Sequence, residues 1–227
     1  MTNLDLYAKA EHLLGIEEAT KALHNLYKSE LEQYGIKTLL DVGCGRGGFL
    51  ELMAKEGVEV KGIDLSEVMV DECQAKGLDV SAQPLSEVDG KFDAIVSIFD
   101  VLNFFNKEEL EKFLEDVASH LNDGGVFIAD INTRYGFSDV AEGSMASESE
   151  KEFLNVDAIF ENDTLTTTFT LFEAQQDGCY KKYQDKIVQY FHPIKTFQKH
   201  KAVKLIDKQT FSLYDTHDKT LLILQKR

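Results

Sequence analysis

The residues best suited to bind a ligand stand together in the stretch LLDVGCGRGGF, which runs from Leu39 to Phe49. Two glycine patterns overlap there: Gly43, Gly45 and Gly48 satisfy G-x-G-x-x-G, and Gly43, Gly45 and Gly47 with Asp41 satisfy D-x-G-x-G-x-G. A glycine-rich turn lets the backbone approach a ligand, and the free N–H groups of a following helix attract its polar end. The stretch therefore predicts a cofactor-binding loop.

Two acidic residues help to decide which cofactor this loop takes. Asp64, 21 residues after Gly43, could bind ribose hydroxyls of either a dinucleotide or an adenosyl cofactor. Asp41 lies at the mouth of the loop, where a carboxylate is unfavourable beside a pyrophosphate but favourable beside a sulfonium and an ammonium group. The chain also lacks Tyr-x-x-x-Lys, the usual proton-relay pair of short-chain dehydrogenases. These features favour S-adenosylmethionine over NAD.

The loop sits within a regular alternation of apolar runs and helical patterns. We expect three helices: one at residues 17–34, one directly after the loop, and one from Ser66 to Lys76. Gly35, Gly57 and Gly77 should end them in that order. Asn106 and Glu109 predict a capping box before a fourth helix. Strands are expected at 36–42, 58–64, 78–82, 92–98 and 126–131. Parallel strands need such crossovers, and their carboxyl ends form the binding edge.

The pattern changes after Asn132. Residues 136–152 are small, polar and acidic, as in a lid or a disordered connector, and three alternating segments predict a three-stranded antiparallel flap after them. The fold class is therefore α/β: a Rossmann-like, doubly wound, seven-stranded sheet of five parallel-type strands and a closing antiparallel hairpin, with the small β flap inserted after the fifth strand. The expected domains are an N-terminal helical cap (1–35), a core (36–135 and 193–227) and the connector with its flap (136–192).

Composition narrows the protein class. The 227 residues are 43% hydrophobic and 28% charged, and no apolar run approaches the ~18 residues of a membrane span. We expect a cytoplasmic protein, since the N-terminus lacks signal-peptide features. Three scattered cysteines without C-x-x-C favour reduced thiols and no metal site.

The charge is uneven along the chain. The formal net charge of −16 disfavours a nucleic-acid partner, yet the segment from Cys179 onward has 11 Lys and Arg against 4 Asp and Glu. This basic segment either complements the acidic remainder or forms a rim that recruits an anionic substrate.

The ordered set of motifs resembles the class I S-adenosylmethionine-dependent methyltransferases. The similarity covers residues 36–132, from LLDVGCGRGGF through VKGIDLS and FDAIVSIFDVLNFF to LNDGGVFIADIN. It implies that backbone groups of Gly43, Cys44 and Gly45, with Asp41 nearby, hold the methionyl part, and that Asp64 binds the ribose. It also implies that Leu65 and Leu85 enclose the adenine, with Gln83 at the position where the family often has Asp, and that Phe99 lines the methionyl side.

The acceptor is harder to predict, because methyl transfer from a sulfonium is an in-line displacement that needs little acid–base chemistry. Candidate acceptor-side residues are Asn103, Asn132, Arg134, Tyr135, Tyr190 and His192. His192 is either a base or an ordinary turn residue, and Arg134 either grips a substrate carboxylate or forms a surface salt bridge. Asp100, Asp130 and Asn132 also have the oxygen ligands of a magnesium site, but at a different spacing from the catechol-type enzymes.

The sequence thus predicts a methyltransferase that acts on an O or N atom of a small molecule, with S-adenosylhomocysteine as product. One alternative is an RNA or protein methyltransferase that uses the basic segment, which then forms one contiguous exposed patch. Others are a non-catalytic nucleoside-cofactor binder and an NAD-dependent oxidoreductase. A homodimer is a further expectation.

Overall fold

The computed structural model describes residues 3–227 and contains eleven strands in that range. They are β1 (Thr38–Val42), β2 (Glu59–Ile63), β3 (Val80–Ser81), β4 (Phe92–Ser97), β5 (Leu121–Asn132), β6 (Gly143–Glu148), β7 (Glu152–Glu161), β8 (Thr164–Ala174), β9 (Tyr180–Tyr190), β10 (Val203–Phe211) and β11 (Lys219–Lys226). The larger sheet has the order β10-β11-β5-β4-β1-β2-β3, and the smaller one β6-β7-β8-β9.

The larger sheet has the predicted Rossmann-like architecture. Strands β1 to β5 pair in parallel, β11 runs antiparallel to β5, and β10 closes the sheet as the antiparallel neighbour of β11. The predicted fold class, five parallel strands with a closing hairpin, is therefore confirmed. The carboxyl ends of the five strands share one edge, which is where a ligand of such a sheet binds.

Six α-helices connect or cover the strands. They are α1 (Asn3–Ala10), α2 (Glu17–Leu31), α3 (Gly48–Lys55), α4 (Glu67–Ala75), α5 (Lys107–His120) and α6 (Lys195–Gln198). The predicted end signals hold: Gly35, Gly57 and Gly77 have the positive φ of a C-terminal glycine, and both bonds of the Asn106 capping box are present. Separate apolar clusters pack on the two faces of the large sheet, with α5 on one face and α2 and α3 on the other.

The smaller sheet differs from the three-stranded flap that the sequence predicts. Part of the acidic stretch forms a fourth strand, β6, which pairs antiparallel with β7, and residues 136–141 form a π-helical turn before it. The sequence of β6, GSMASE, lacks apolar alternation, so its strand conformation comes from pairing with the edge of β7. The predicted turn between β7 and β8 is present, with positive φ at Asn162 and Asp163 as in a type I′ hairpin.

Helix α1 joins the two sheets. Leu6, Ala10 and Leu13 pack against the apolar face of the smaller sheet, in a cluster with Leu154, Val156, Phe169, Leu171 and Ile187. Among the helices of residues 3–227, none is long and apolar enough to cross a membrane.

Candidate cofactor and acceptor site

The glycine loop between β1 and α3 has a backbone that only glycine adopts easily. Gly43, Gly45 and Gly47 have φ of 79°, 52° and 75°. Side chains would also collide there: a Cβ on Gly43 would lie 2.8 Å from a methyl of Val101, and one on Gly47 would lie 2.5 Å from a methyl of Leu78. Both conformation and packing therefore require the glycines, which brings the backbone of this turn close to any ligand at the strand ends.

Asp64, which follows β2, fixes this loop to the start of α4. One carboxylate oxygen accepts the Gly45 N–H at 2.9 Å, and the other accepts the Ser66 N–H at 2.8 Å. Burial raises the pKa of Asp64, and these backbone N–H groups partly oppose that rise. Each oxygen keeps a lone pair for a further donor, so the carboxylate can still accept two hydroxyls.

Asp41 near the end of β1 is buried, with 2% of its surface exposed, and its Oδ1 has no hydrogen-bond partner. Burial, and secondarily the charge of Asp64, raises the pKa of Asp41 to about 8. Among residues 3–227, none donates a hydrogen bond to its Oδ1.

Orphaned polar atoms mark the carboxyl edge of the sheet. Among the side chains that the structure describes, three buried polar atoms have no partner: Asp41 Oδ1, Ser81 Oγ and Ser97 Oγ. Asp41 lies one residue before the end of β1, and the two serines are the last residues of β3 and β4. Buried polar groups are normally hydrogen-bonded, so their concentration on this edge indicates a place where an external ligand or water supplies the missing partners.

The turn after β4 has an unusual conformation that the sequence did not predict. Phe99 and Asp100 both have positive φ, 66° and 50°. Their N–H groups donate to the buried carboxylate of Asp130 at 2.9 and 3.0 Å, and the Tyr27 hydroxyl donates to it at 2.7 Å. Asp130 therefore holds the turn that carries Phe99 beside the strand ends.

A buried ion pair completes this side of the edge. Lys219, the first residue of β11, is 3% exposed; its ammonium bonds to Asp100 and lies 3.9 Å from Asp130. Asp100 also accepts from Asn132 Nδ2 at 2.8 Å and from Gln189 Nε2 at 2.9 Å. The three residues weighed as magnesium ligands do come together, but the ammonium of Lys219 lies among them. No group of three or more His, Cys, Asp or Glu suited to a metal occurs in the described part of the chain.

Comparisons with known proteins agree with this geometry. The family model described as a methyltransferase domain matches residues 39–125. A protein of Geobacillus sp. (strain WCH70) named as a methyltransferase is 26% identical over 179 residues, which are 72% of each chain. A crystal structure of an S-adenosylmethionine-dependent methyltransferase from Clostridium acetobutylicum ATCC 824 superposes with a TM-score of 0.80 at 21% identity, covering 97% of this chain and 99% of that one. The family model thus matches the stretch of the chain in which the sequence resembles these methyltransferases, and the structural likeness extends over nearly the whole chain. The resemblance predicted from the motifs is thereby confirmed.

Relatives with named substrates match this chain over shorter stretches. The dTDP-3-amino-3,4,6-trideoxy-alpha-D-glucopyranose N,N-dimethyltransferase of Streptomyces venezuelae is 34% identical over 98 residues, 41% of each chain. The structure of Streptomyces venezuelae DesVI has a TM-score of 0.76 at 19% identity, covering 100% of this chain and 99% of that one. The first covers about two fifths of this chain, and the second shows a shared fold.

The three residues that the resemblance implies for the adenine differ in exposure. Leu65 is 60% exposed, Gln83 is half-buried, and Leu85 is packed in the core with 4% exposure. An exposed leucine beside Asp64 is available to cover a flat ring, and Leu85 would have to contact it from the core. Their roles toward the adenine stay predictions.

The flap-side candidates have partners inside the protein. His192 is buried, its Nε2 lies 3.0 Å from the carbonyl oxygen of Phe105, and burial lowers the pKa of its imidazole. The backbone carbonyl of Tyr190 accepts from Asn103 Nδ2 at 2.8 Å, and Asn103 Oδ1 accepts the Asn132 N–H at 2.9 Å. These bonds fasten the end of β9 to the helical turn after β4, a structural role that explains the residues without a substrate.

Arg134 and Tyr135 are likewise engaged. The guanidinium of Arg134 bonds to Asp163 in the β7–β8 turn and lies over the ring of Phe191, 4.5 Å from its centroid. The Tyr135 hydroxyl donates to Asp215 Oδ2 at 2.9 Å. Arg134 thus joins the flap to the core, which favours the salt-bridge interpretation over a substrate carboxylate.

Helix α1 covers the cofactor loop from within the expected N-terminal helical cap, although the sequence analysis placed a helix only at residues 17–34 of that cap. Arg46 in the loop donates from Nε to Glu11 at 2.8 Å and from Nη2 to the carbonyl of Ala8 at 2.7 Å. On the same side, Ser66 donates to Asp5 at 2.9 Å. The apolar spacing of LDLYAKAEHLL is the signal that could have predicted this amphipathic segment.

Tyr7 on α1 brings that helix near the acceptor side. Burial raises the pKa of Tyr7, and the negative charges of Glu11 and Asp100 raise it further. The hydroxyl is therefore protonated at neutral pH, and its ring packs edge-on against Phe169 of the flap. Tyr7 is near enough to Arg46 of the cofactor loop and to Asp100 for both charges to act on its pKa.

The basic C-terminal segment is distributed over several elements. Lys219 is buried against Asp100, Lys226 lies 3.9 Å from Asp123, and the imidazole of His200 lies 3.6 Å from Glu111. Other lysines lie on β9 in the smaller sheet and on β10 in the larger one. This arrangement favours complementation of the acidic remainder over a single basic rim.

Proposed function

We propose that this methyltransferase binds S-adenosylmethionine at the carboxyl edge of the large sheet and transfers its methyl group to an O or N atom of a small-molecule acceptor. The observation that carries the cofactor site is the unpartnered Oδ1 of Asp41 beside a loop of three left-handed glycines. A cationic ligand satisfies this carboxyl, whereas a pyrophosphate repels its charged form. S-adenosylhomocysteine is then the product.

Each residue of the site has a defined task. The backbone of Gly43, Cys44 and Gly45 contacts the methionyl portion, and Asp64 accepts the ribose hydroxyls with the lone pairs that its backbone donors leave free. Leu65, Gln83 and Leu85 surround the adenine, and Phe99 lines the methionyl side. When bound, the cofactor supplies an electrophilic methyl group on a positively charged sulfur.

The chain then has to orient the acceptor and exclude water. Strand β9 of the flap is placed for this task, because Gln189 donates to Asp100. Helix α1 lies nearby, since the charge of Asp100 raises the pKa of Tyr7. The side chains of His192, Arg134 and Tyr135 have internal contacts, whereas Tyr190 is held through its backbone carbonyl. We assign no catalytic base to the chain. An acceptor whose lone pair is already available needs none.

A small acceptor is supported by several relatives. Besides the amino-sugar enzyme, a magnesium-protoporphyrin O-methyltransferase of Synechocystis sp. (strain ATCC 27184 / PCC 6803 / Kazusa) is 35% identical over 88 residues. A ribosomal protein L11 methyltransferase of Campylobacter fetus subsp. fetus (strain 82-40), 28% identical over 131 residues, keeps the protein-acceptor alternative open. The dispersed lysines weigh against that alternative, since a macromolecular footprint uses one basic face. A homodimer and a cytoplasmic location stay predictions.

Calorimetric titration with S-adenosylhomocysteine and NAD side by side tests the cofactor. We expect dissociation constants in the micromolar range for the former and no heat of binding for the latter. Binding of NAD alone would overturn the assignment. Release of S-adenosylhomocysteine is then followed with a library of small amines, phenols and sugars against total RNA and unfolded protein. Turnover with a macromolecule only would replace the small-molecule proposal.

A further inference from the structure

Asp41 differs from the other carboxylates at the binding edge. Both oxygens of Asp64 accept backbone N–H groups, and Asp130 accepts a tyrosine hydroxyl and two N–H groups. Asp130 also has the ammonium of Lys219 at 3.9 Å. Asp41 is buried nearly as deeply as Asp130 and more deeply than the half-buried Asp64, yet its Oδ1 has no donor. A buried, ionised carboxylate without donors is unstable, so the empty site needs another way to neutralise it.

The groups around Asp41 offer no positive charge. Asp64 faces it from the end of β2, Cys44 from the glycine loop, Cys73 from α4 and Tyr27 from α2. The negative charge of Asp41 raises the pKa of both cysteines and of the tyrosine, so none of these supplies a counter-charge. Within residues 3–227, burial and Asp64 are the causes that act on Asp41, and both favour its protonated form.

We propose that Asp41 is a specificity-determining residue that reads the charge of the cofactor: it holds a proton in the empty site and releases it when the cation binds. The proposal rests on the proposed function, because it takes the ligand to be S-adenosylmethionine. In the binding step the carboxylic O–H bond breaks, the proton passes to the solvent buffer, and the carboxylate that remains pairs with the positive charge of the ligand.

The same residue then distinguishes substrate from product. S-adenosylmethionine has a sulfonium and an ammonium group, and S-adenosylhomocysteine keeps only the ammonium. Methyl transfer therefore removes one positive charge from the site. The ionised form of Asp41 then becomes less favourable, because it has lost part of its electrostatic attraction to the ligand. Asp41 therefore weakens the binding of the product relative to that of the substrate, which promotes release of the product.

The pH dependence follows from linkage. With a pKa of about 8 in the empty site, Asp41 is protonated in the great majority of molecules at neutral pH. Cation binding lowers that pKa, so protons are released at neutral pH and release disappears above about pH 9. Affinity for the cation rises with pH up to about 8 and is constant above it. The α-amino group of the cofactor titrates at about 7.7–8.0 in model compounds, so the contribution of Asp41 is read as the difference from a variant.

The experiment is calorimetric titration of the full chain near pH 7, in buffers of different ionisation enthalpy, with S-adenosylmethionine and S-adenosylhomocysteine. The wild type should release at least about half a proton more per bound S-adenosylmethionine than Asp41→Asn, and fewer protons with S-adenosylhomocysteine. The preference for S-adenosylmethionine should rise several-fold from about pH 6.5 to 8.5 in the wild type only. Asp123→Asn, at a side chain that is fully exposed, is the control and should match the wild type.

The outcomes separate the two proposals. If both cofactor forms bind but wild type and Asp41→Asn release equal numbers of protons, the role of Asp41 is wrong while the proposed function stands. If neither form binds the wild type, the proposed function itself fails. Infrared difference spectroscopy of the wild type labelled at aspartate needs no variant: the band of a protonated carboxyl should vanish on addition of S-adenosylmethionine, and its persistence would overturn the inference.

Discussion

The carboxyl edge of the large sheet has two halves that are built in opposite ways. At the ends of β1 and β2, the site residues come from one continuous stretch, Asp41 to Ser66, and the buried Oδ1 of Asp41 has no partner. At the ends of β4 and β5, Asp100 meets Asn132, Gln189 and Lys219, and its carboxylate is fully engaged.

The difference separates a receiving surface from a supporting one. The first half has acids in need of donors, which suits a ligand that brings positive charge and hydroxyls. The second half neutralises its acids internally, so it keeps a shape and couples the flap to the core through Gln189. Variants in the second half should mainly reduce stability, and variants in the first half should mainly reduce cofactor affinity.

The largest effect is expected for Lys219→Met. Removal of the ammonium leaves Asp100 and Asp130 without their buried counter-charge, and breaking a buried pair costs about 3–5 kcal/mol. Urea denaturation measures the free energy of unfolding. Lys226→Met, at a largely solvated ion pair, is the matched control and should cost less than about 1 kcal/mol.

A second substitution sharpens this test. Adding Asp100→Asn to Lys219→Met should restore part of the lost stability, because one uncompensated charge is removed. A Lys219→Met variant as stable as the Lys226→Met control would show that the supporting half does not depend on its ion pair.

An intermediate effect is expected for Asp64→Ala in the receiving half. Loss of charged hydrogen bonds should weaken the binding of S-adenosylhomocysteine, measured by calorimetry, by about 1.5–3 kcal/mol. The structure adds a smaller loss of stability without ligand, about 1 kcal/mol, since Gly45 and Ser66 lose their acceptor. Asp79→Ala, an exposed acid before β3, serves as control. Unchanged affinity in Asp64→Ala would remove Asp64 from the cofactor site.

The smallest effect is expected for Arg134→Met. The side chains of Arg134 and Asp163 are both 56% exposed, so their ion pair with the stacking on Phe191 contributes only about 0.5–1 kcal/mol. A double-mutant cycle with Asp163→Asn measures the coupling in the free energy of unfolding. Zero coupling would leave the guanidinium available for an acceptor carboxylate, the other interpretation that the sequence permits.

Much of the receiving half could be predicted because its signals are local. Its glycines act through their own torsional preferences, both the left-handed ones in the loop and those that end α2, α3 and α4. The acids stand at the ends of β1 and β2, next to the motif that predicts the loop. The same holds for the capping box of α5, whose two bonds join residues three apart. Such preferences are present in the chain before it folds.

The supporting half was decided by tertiary structure. Lys219 and Asp100 are 119 residues apart, and the sequence around each of them does not predict that the two side chains form an ion pair. Strand β6 forms because β7 has an edge with which it can pair. Arg134 pairs with Asp163 of the protein, because a guanidinium binds an internal carboxylate as readily as a substrate carboxylate. The sequence by itself determined which residues could hold an adenosyl cation. Only the packing of distant elements determined which charges were already neutralised, because burial and pairing depend on which residues the fold brings into contact.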